Sequence, residues 1–147
     1  MAGYNRINAY GHTNGMTLSV PEPGKAEYRM VIRPEHLSSP GVAHGGVVAG
    51  LMDAALGAAA LTLAFTAGEL VSTVEFKINY LHPVRLGDEL RAVAQVDHAG
   101  KSLVVSSGVI YRQAAGDASN AKATAVAQGV GTFNRYPAGK RLGDIVG

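Results

Sequence analysis

Asp53 is the only formally charged residue between positions 41 and 68, within the stretch GVAHGGVVAGLMDAALGAAALTLAFTAG. A helix this poor in charge is normally buried, and an unpaired carboxylate is costly to bury. A solitary acid in such a place is either neutralised by a partner or kept for proton transfer or nucleophilic attack. His44-Gly45-Gly46 opens the same stretch. The first N–H groups of a helix lack intrahelical partners, so here they would point at an anion or a polarised oxygen. An acid and an anion-stabilising helix start are two of the parts that acyl transfer needs.

The spacing predicts a helix from about Gly45 to Thr66, stopped by Gly68. Two short strands precede it, Met16–Val20 and Ala26–Arg33, joined by the turn at Pro21-Glu22-Pro23-Gly24, and PEHLSSPG (34–41) reads as a loop. After the helix the period changes to two. Val74, Phe76, Ile78 and Tyr80 alternate with Thr73, Glu75, Lys77 and Asn79 in a half-buried strand, Ser72–Tyr80. Further strands are expected at Glu89–Asp97, Ser102–Arg112 and Ala121–Phe133, with a hairpin at His98–Lys101 and a mobile loop at Ala114–Asn120. One helix cannot supply the crossovers of a parallel sheet. The expected class is therefore α+β, with one long apolar helix inside a curved, mainly antiparallel sheet of about six strands. The tails 1–15 and 135–147 show no pattern and are expected to fray.

The 147 residues suit a single domain with a real core, 47% hydrophobic and 16% charged. A formal net charge of +2 without a basic run gives nucleic-acid binding no support. No cysteine is present, which excludes disulfides and thiol chemistry and fits a reducing, cytoplasmic setting. The amino-terminal MAGYNRINAYGHTNG has no apolar core and does not read as a signal peptide. The five histidines lack metal-ligand spacing, so no metal is expected. Segment 45–68 is long enough to span a membrane, but it is rich in Ala and Gly and carries Asp53 mid-way, so a buried soluble helix is the reading.

Several words of the chain together resemble the hotdog-fold acyl-CoA thioesterases of the phenylacetate-pathway (PaaI-like) type: GVAHGG (41–46), LMD (51–53), TVE (73–75), NYLHP (79–83), Gly87-Asp88, Gly100-Lys101 and the closing GTF (131–133). The resemblance runs over roughly residues 36 to 133. It implies a single hotdog domain over 1–147, hydrolysis of an acyl-CoA to CoA and a carboxylic acid, and no cofactor beyond the CoA of the substrate. By position, Asp53 would be general base or nucleophile and the Gly45 N–H would polarise the thioester carbonyl. Thr73 matches a hydroxyl on the first strand after the helix. Ser38 stands where the family often has Asn, with Ser39 beside it. His44 would fix the loop or act as a base. Substrate and CoA contacts would fall on Gly46, Glu75, Tyr80, Leu81, His82, Pro83, Arg85, His98, Gly100, Lys101 and Ser102, with Arg85 and Lys101 meeting phosphates.

Gly45 and Asp53 lie eight residues apart on one helix, about 12 Å along its axis. An oxyanion donor and a base must both sit within hydrogen-bond reach of one thioester. Two antiparallel helices from two chains could achieve this, and Gly46, Ala49, Gly50, Gly57 and Ala60 share a face with Asp53 that would allow close approach. A homodimer at least, and a homotetramer as a dimer of dimers, is expected. Two rival readings stay open: an acyl-CoA or small-ligand binding protein without activity, and an acyl-thioester hydratase or dehydratase.

Overall fold

The computed structural model describes residues 1–113, 123–141 and 143. The apolar stretch folds as α3 (Gly45–Phe65), and eleven of its 21 residues are buried, from Val48 to Ala64. By length and composition such a helix could cross a membrane. Here it is wrapped instead, because every strand that follows it packs against it. Those strands are β5 (Glu69–Tyr80), β6 (Glu89–Ala99), β7 (Leu103–Gln113) and β8 (Thr124–Pro137). With β1 (Thr17–Ser19) and β2 (Lys25–Val31) they form one antiparallel sheet in the order β1-β2-β6-β7-β8-β5. This is the hotdog arrangement that the sequence motifs imply.

The helix can lie close to the sheet because paired glycines clear its path. Gly108 of β7 and Gly129 of β8 face each other. A Cβ on Gly129 would come within 3.0 Å of Met52, and one on Gly108 within 3.4 Å of Leu56. Met52 and Leu56 are themselves fully buried.

Two expectations need correction. Residues 1–15 are not a frayed tail: they form α1 (Ala2–Ile7) and α2 (Ala9–Thr13). Met1 and Tyr4 pack against the hydrophobic core, and Asn8 holds the two short helices together by accepting the Gly11 N–H at 3.1 Å. The sequence hides this because Tyr4, Ile7 and Tyr10 are too few and too spaced to read as a core-forming run. At the other end β8 continues through Pro137 and Ala138 is buried, so the chain leaves the sheet four residues later than Phe133. Segment 34–41 is also more ordered than a plain loop, with a 3-10 turn (Pro34–His36) and a ribbon of β3 (Leu37–Ser39) with β4 (Val42–Ala43). The expected loop at Ala114–Asn120, and the first residues of the strand after it, lie outside the described residues.

Candidate active site

Asp53 is neither fully buried nor unpaired. It sits half-buried on α3, and its Oδ1 accepts the Thr73 hydroxyl at 2.9 Å. That contact depends on a backbone irregularity. In strict alternation Thr73 would share a face with Glu75, away from the helix. The register shifts between them, leaving Val74 as an extra, exposed residue. Thr73 therefore pairs with Phe133 on the helix side, while Glu75 turns outward and accepts the Thr132 hydroxyl at 2.7 Å. A β-bulge of this kind re-aims a side chain without breaking the strand.

Asp53 and Thr73 open into a cleft of about 580 Å³ between α3, the start of β5 and the amino-terminal helices. Tyr4, Tyr10, Leu61, Leu70, Phe133 and Tyr136 supply much of its wall. Burial first, and then the negative charge of Asp53, push the Tyr4 phenol above its ordinary pKa. The small residues beside Asp53 are largely occupied by this chain itself. A Cβ on Gly50 would collide with the Tyr10 hydroxyl, one on Gly57 would come within 3.2 Å of Phe133, and Ala60 is fully buried.

The start of α3 is built by His44. Its extended backbone, φ −62° and ψ 135°, ends the β4 segment, and its Nδ1 accepts the Gly46 N–H at 2.8 Å. An imidazole nitrogen used in this way caps the helix. A Cβ on Gly46 would lie 2.8 Å from that nitrogen, so a larger residue would push the imidazole off its cap. With Gly46 taken by His44, no hydrogen bond engages the Gly45 N–H among the described residues. The Gly45 carbonyl accepts the Tyr80 hydroxyl at 2.8 Å. Gly45, Tyr80, Leu81, His82 and Pro83 border a second cleft of about 310 Å³.

Within one protomer these are two separate half-sites. Thr73 aligns across the sheet with Phe133, Val104 and Ala99, whereas Tyr80 aligns with Ala127, Ile110 and Ala92. Six residues of strand along β7 and β8, about 20 Å, divide the two rows. Each end carries its own basic loop. Arg85 bridges to Val42 beside the helix start. His98 to Ser102 turn at the Thr73 end, where Arg135 holds the Gly100 carbonyl at 2.9 Å. The two expected phosphate contacts, Arg85 and Lys101, thus stand at opposite ends of the sheet. Both side chains are exposed and neither meets a carboxylate among the described residues. Ser38 is exposed at a bulge in the β3–β4 ribbon, whose second strand leads into the start of α3.

Comparison with known proteins places the fold in a family. The family model of the thioesterase superfamily matches residues 40–118, which include the helix start, Asp53 and Thr73. The chain belongs to the thioesterase superfamily. Acyl-coenzyme A thioesterase 13 from Homo sapiens is 33% identical over 101 residues, covering 69% of this chain and 71% of that protein. Among solved structures, the E. coli PaaI protein of the phenylacetic acid degradation operon superposes with a TM-score of 0.80 at 25% identity, over 92% of this chain and 89% of that one. Conserved protein PA5202 from Pseudomonas aeruginosa gives 0.74 at 35% identity, over 88% and 95%.

Sequence reasoning missed the amino-terminal side of the site in this superfamily member. Tyr4 and Tyr10 reach the Asp53 cleft only because α1 and α2 fold back over α3. Their signal in the sequence was an aromatic pair six residues apart, insufficient without the helix beneath it. His36 was also missed. It is buried, accepts the Arg33 N–H on Nδ1 at 3.0 Å, and faces the Asn14 side-chain oxygen from Nε2 at 3.1 Å. Its carbonyl accepts the His44 N–H at 2.8 Å, so it ties α2 to the helix start. Among the described residues no three His, Asp or Glu side chains converge as metal ligands would.

Proposed function

We propose that this chain hydrolyses acyl-CoA thioesters, with Asp53 as general base or nucleophile and the Gly45 N–H as oxyanion donor. The observation that carries this reading is the unengaged Gly45 N–H at the start of the helix that also bears the Thr73-bound Asp53, in a chain of the thioesterase superfamily. The positive end of the helix dipole adds to the Gly45 donor. In the base form, Asp53 takes a proton from water, the water oxygen bonds to the acyl carbon, and the carbonyl electrons move onto the oxygen held by Gly45. The carbon–sulfur bond then breaks, leaving a carboxylic acid and the CoA thiolate, which takes up the proton. Water, substrate and side chains complete the balance, with no resident cofactor.

The half-site geometry supports a homodimer in which Asp53 of one chain faces Gly45 of the other, and a tetramer as two such dimers. A two-fold axis would also bring the Arg85 end of one protomer toward the Lys101 end of its partner, giving the CoA phosphates two unpaired cations. A cytoplasmic location belongs to the same reading. The test is CoA release from acetyl-CoA, hexanoyl-CoA and benzoyl-CoA. Since the protein has no cysteine, a thiol reagent reads product alone. Wild type should turn over at least one of them and Asp53→Asn should lose the activity while keeping its oligomeric state. An Asn variant with wild-type turnover sinks the assignment.

A further inference from the structure

We propose that the Tyr4 hydroxyl and Asp53 together hold the water that attacks the acyl carbon. The inference rests on the reading of Asp53 as the group that handles the proton. Tyr4 stands on α1 and lines the same cleft as Asp53. Its ring is fixed by packing against both hydrophobic clusters, the main core and the smaller group formed by Leu61, Leu70 and Ala138. Its hydroxyl, in contrast, has no hydrogen-bond partner among the described residues.

Asp53 offers a matching acceptor. Thr73 occupies Oδ1, and among the described residues no donor engages Oδ2. A water between Oδ2 and the phenol oxygen would give one hydrogen to each acceptor. Its lone pair is then left for the acyl carbon, and the attack geometry is fixed before the substrate arrives. During the step the proton facing Asp53 is transferred to Oδ2, the one facing Tyr4 stays on the oxygen that becomes part of the acid, and the phenol neither gains nor loses a proton. Burial and the neighbouring carboxylate keep that phenol neutral, so it stays an uncharged acceptor through the neutral range. The arm that carries it is anchored independently: Asn8 donates to the fully buried Tyr28 hydroxyl at 3.2 Å.

The test measures kcat and KM for wild type, Tyr4→Phe, Tyr4→Leu and Asp53→Asn on whichever of acetyl-, hexanoyl- and benzoyl-CoA wild type cleaves fastest. Tyr4→Phe should lower kcat about tenfold or more with KM unchanged, since loss of one well-placed catalytic contact removes a factor of this order. Tyr4→Leu should be equally slow. The melting temperature of Tyr4→Phe should stay within about 2 °C of wild type, because the hydroxyl has no internal bond to lose. Wild-type kcat in Tyr4→Phe, with only Tyr4→Leu impaired, overturns the inference and leaves the ring as packing. A large melting loss in Tyr4→Phe overturns it as well. If Asp53→Asn is inactive while Tyr4→Phe is normal, only the Tyr4 role falls; if Asp53→Asn is fully active, the functional reading itself falls.

Discussion

Gly45 offers an unusually clean test of the oxyanion role. It is the first residue of α3, where proline is tolerated because the N–H has no intrahelical partner. His44 already has the extended backbone that a following proline demands. Gly45→Pro should therefore fold normally yet lose about 10²–10³ in kcat, the usual effect of deleting one oxyanion donor. Full activity in that variant would exclude the Gly45 N–H. Thr73→Val should leave Asp53 in place but strip its partner, lowering kcat while changing stability by no more than about 1 kcal/mol for one exposed hydrogen bond. Equal kcat in Thr73→Val and wild type would make the contact incidental. Asp53 and Gly45 were both legible in the sequence, because a lone charge and a double glycine stand out against an apolar background. Tyr4 was not, because nothing local ties residue 4 to residue 53.

Single elements aim these residues. The bulge at Val74 turns Thr73 toward the helix, and alternation alone placed Thr73 on the opposite face. A pattern of polar and apolar residues gives the period of a strand, whereas a register shift depends on what the partner strand offers. Deleting Val74 should remove the bulge while leaving Thr73 opposite Phe133 and Glu75 opposite Thr132, so Thr73 keeps facing Asp53 and turnover persists with the sheet retained, as circular dichroism and kinetics would show together.

The loop before α3 depends on His36 in its neutral form. Burial, and next the charge of Arg33, lower its pKa, with Glu35 opposing weakly. Its stabilising effect is complete above the ordinary histidine value of about 6.5 and is lost as pH falls through that value toward the lowered folded one. Thermal melts from pH 7.5 to 5 should show this decline, and His36→Asn should flatten it while being less stable at neutral pH. An unchanged slope in that variant would assign the decline to other groups.

At the scale of the whole molecule, one protomer keeps Asp53 and Gly45 in separate clefts, and the proposed site is complete only in pairs. Complementation tests this directly. Asp53→Asn and Gly45→Pro chains, each inactive alone, should regain about a quarter of wild-type activity when unfolded and refolded together, since half the dimers are mixed and each mixed dimer has one intact site. No recovery, with mixed dimers demonstrated, would place the site within one chain.

The resemblance of its motifs implied the hotdog fold, and the sequence by itself determined the α+β class, the central helix, a mainly antiparallel sheet of about six strands and the reactive candidates at the helix start and middle. These follow from periodicity and spacing, which are local. Only the tertiary structure decided that Thr73 faces Asp53, that Arg85 and Lys101 lie at opposite ends, and that the first thirteen residues close over the acid. Those facts arise from register, sheet curvature and packing between segments far apart in the chain, and no window of neighbouring residues contains them.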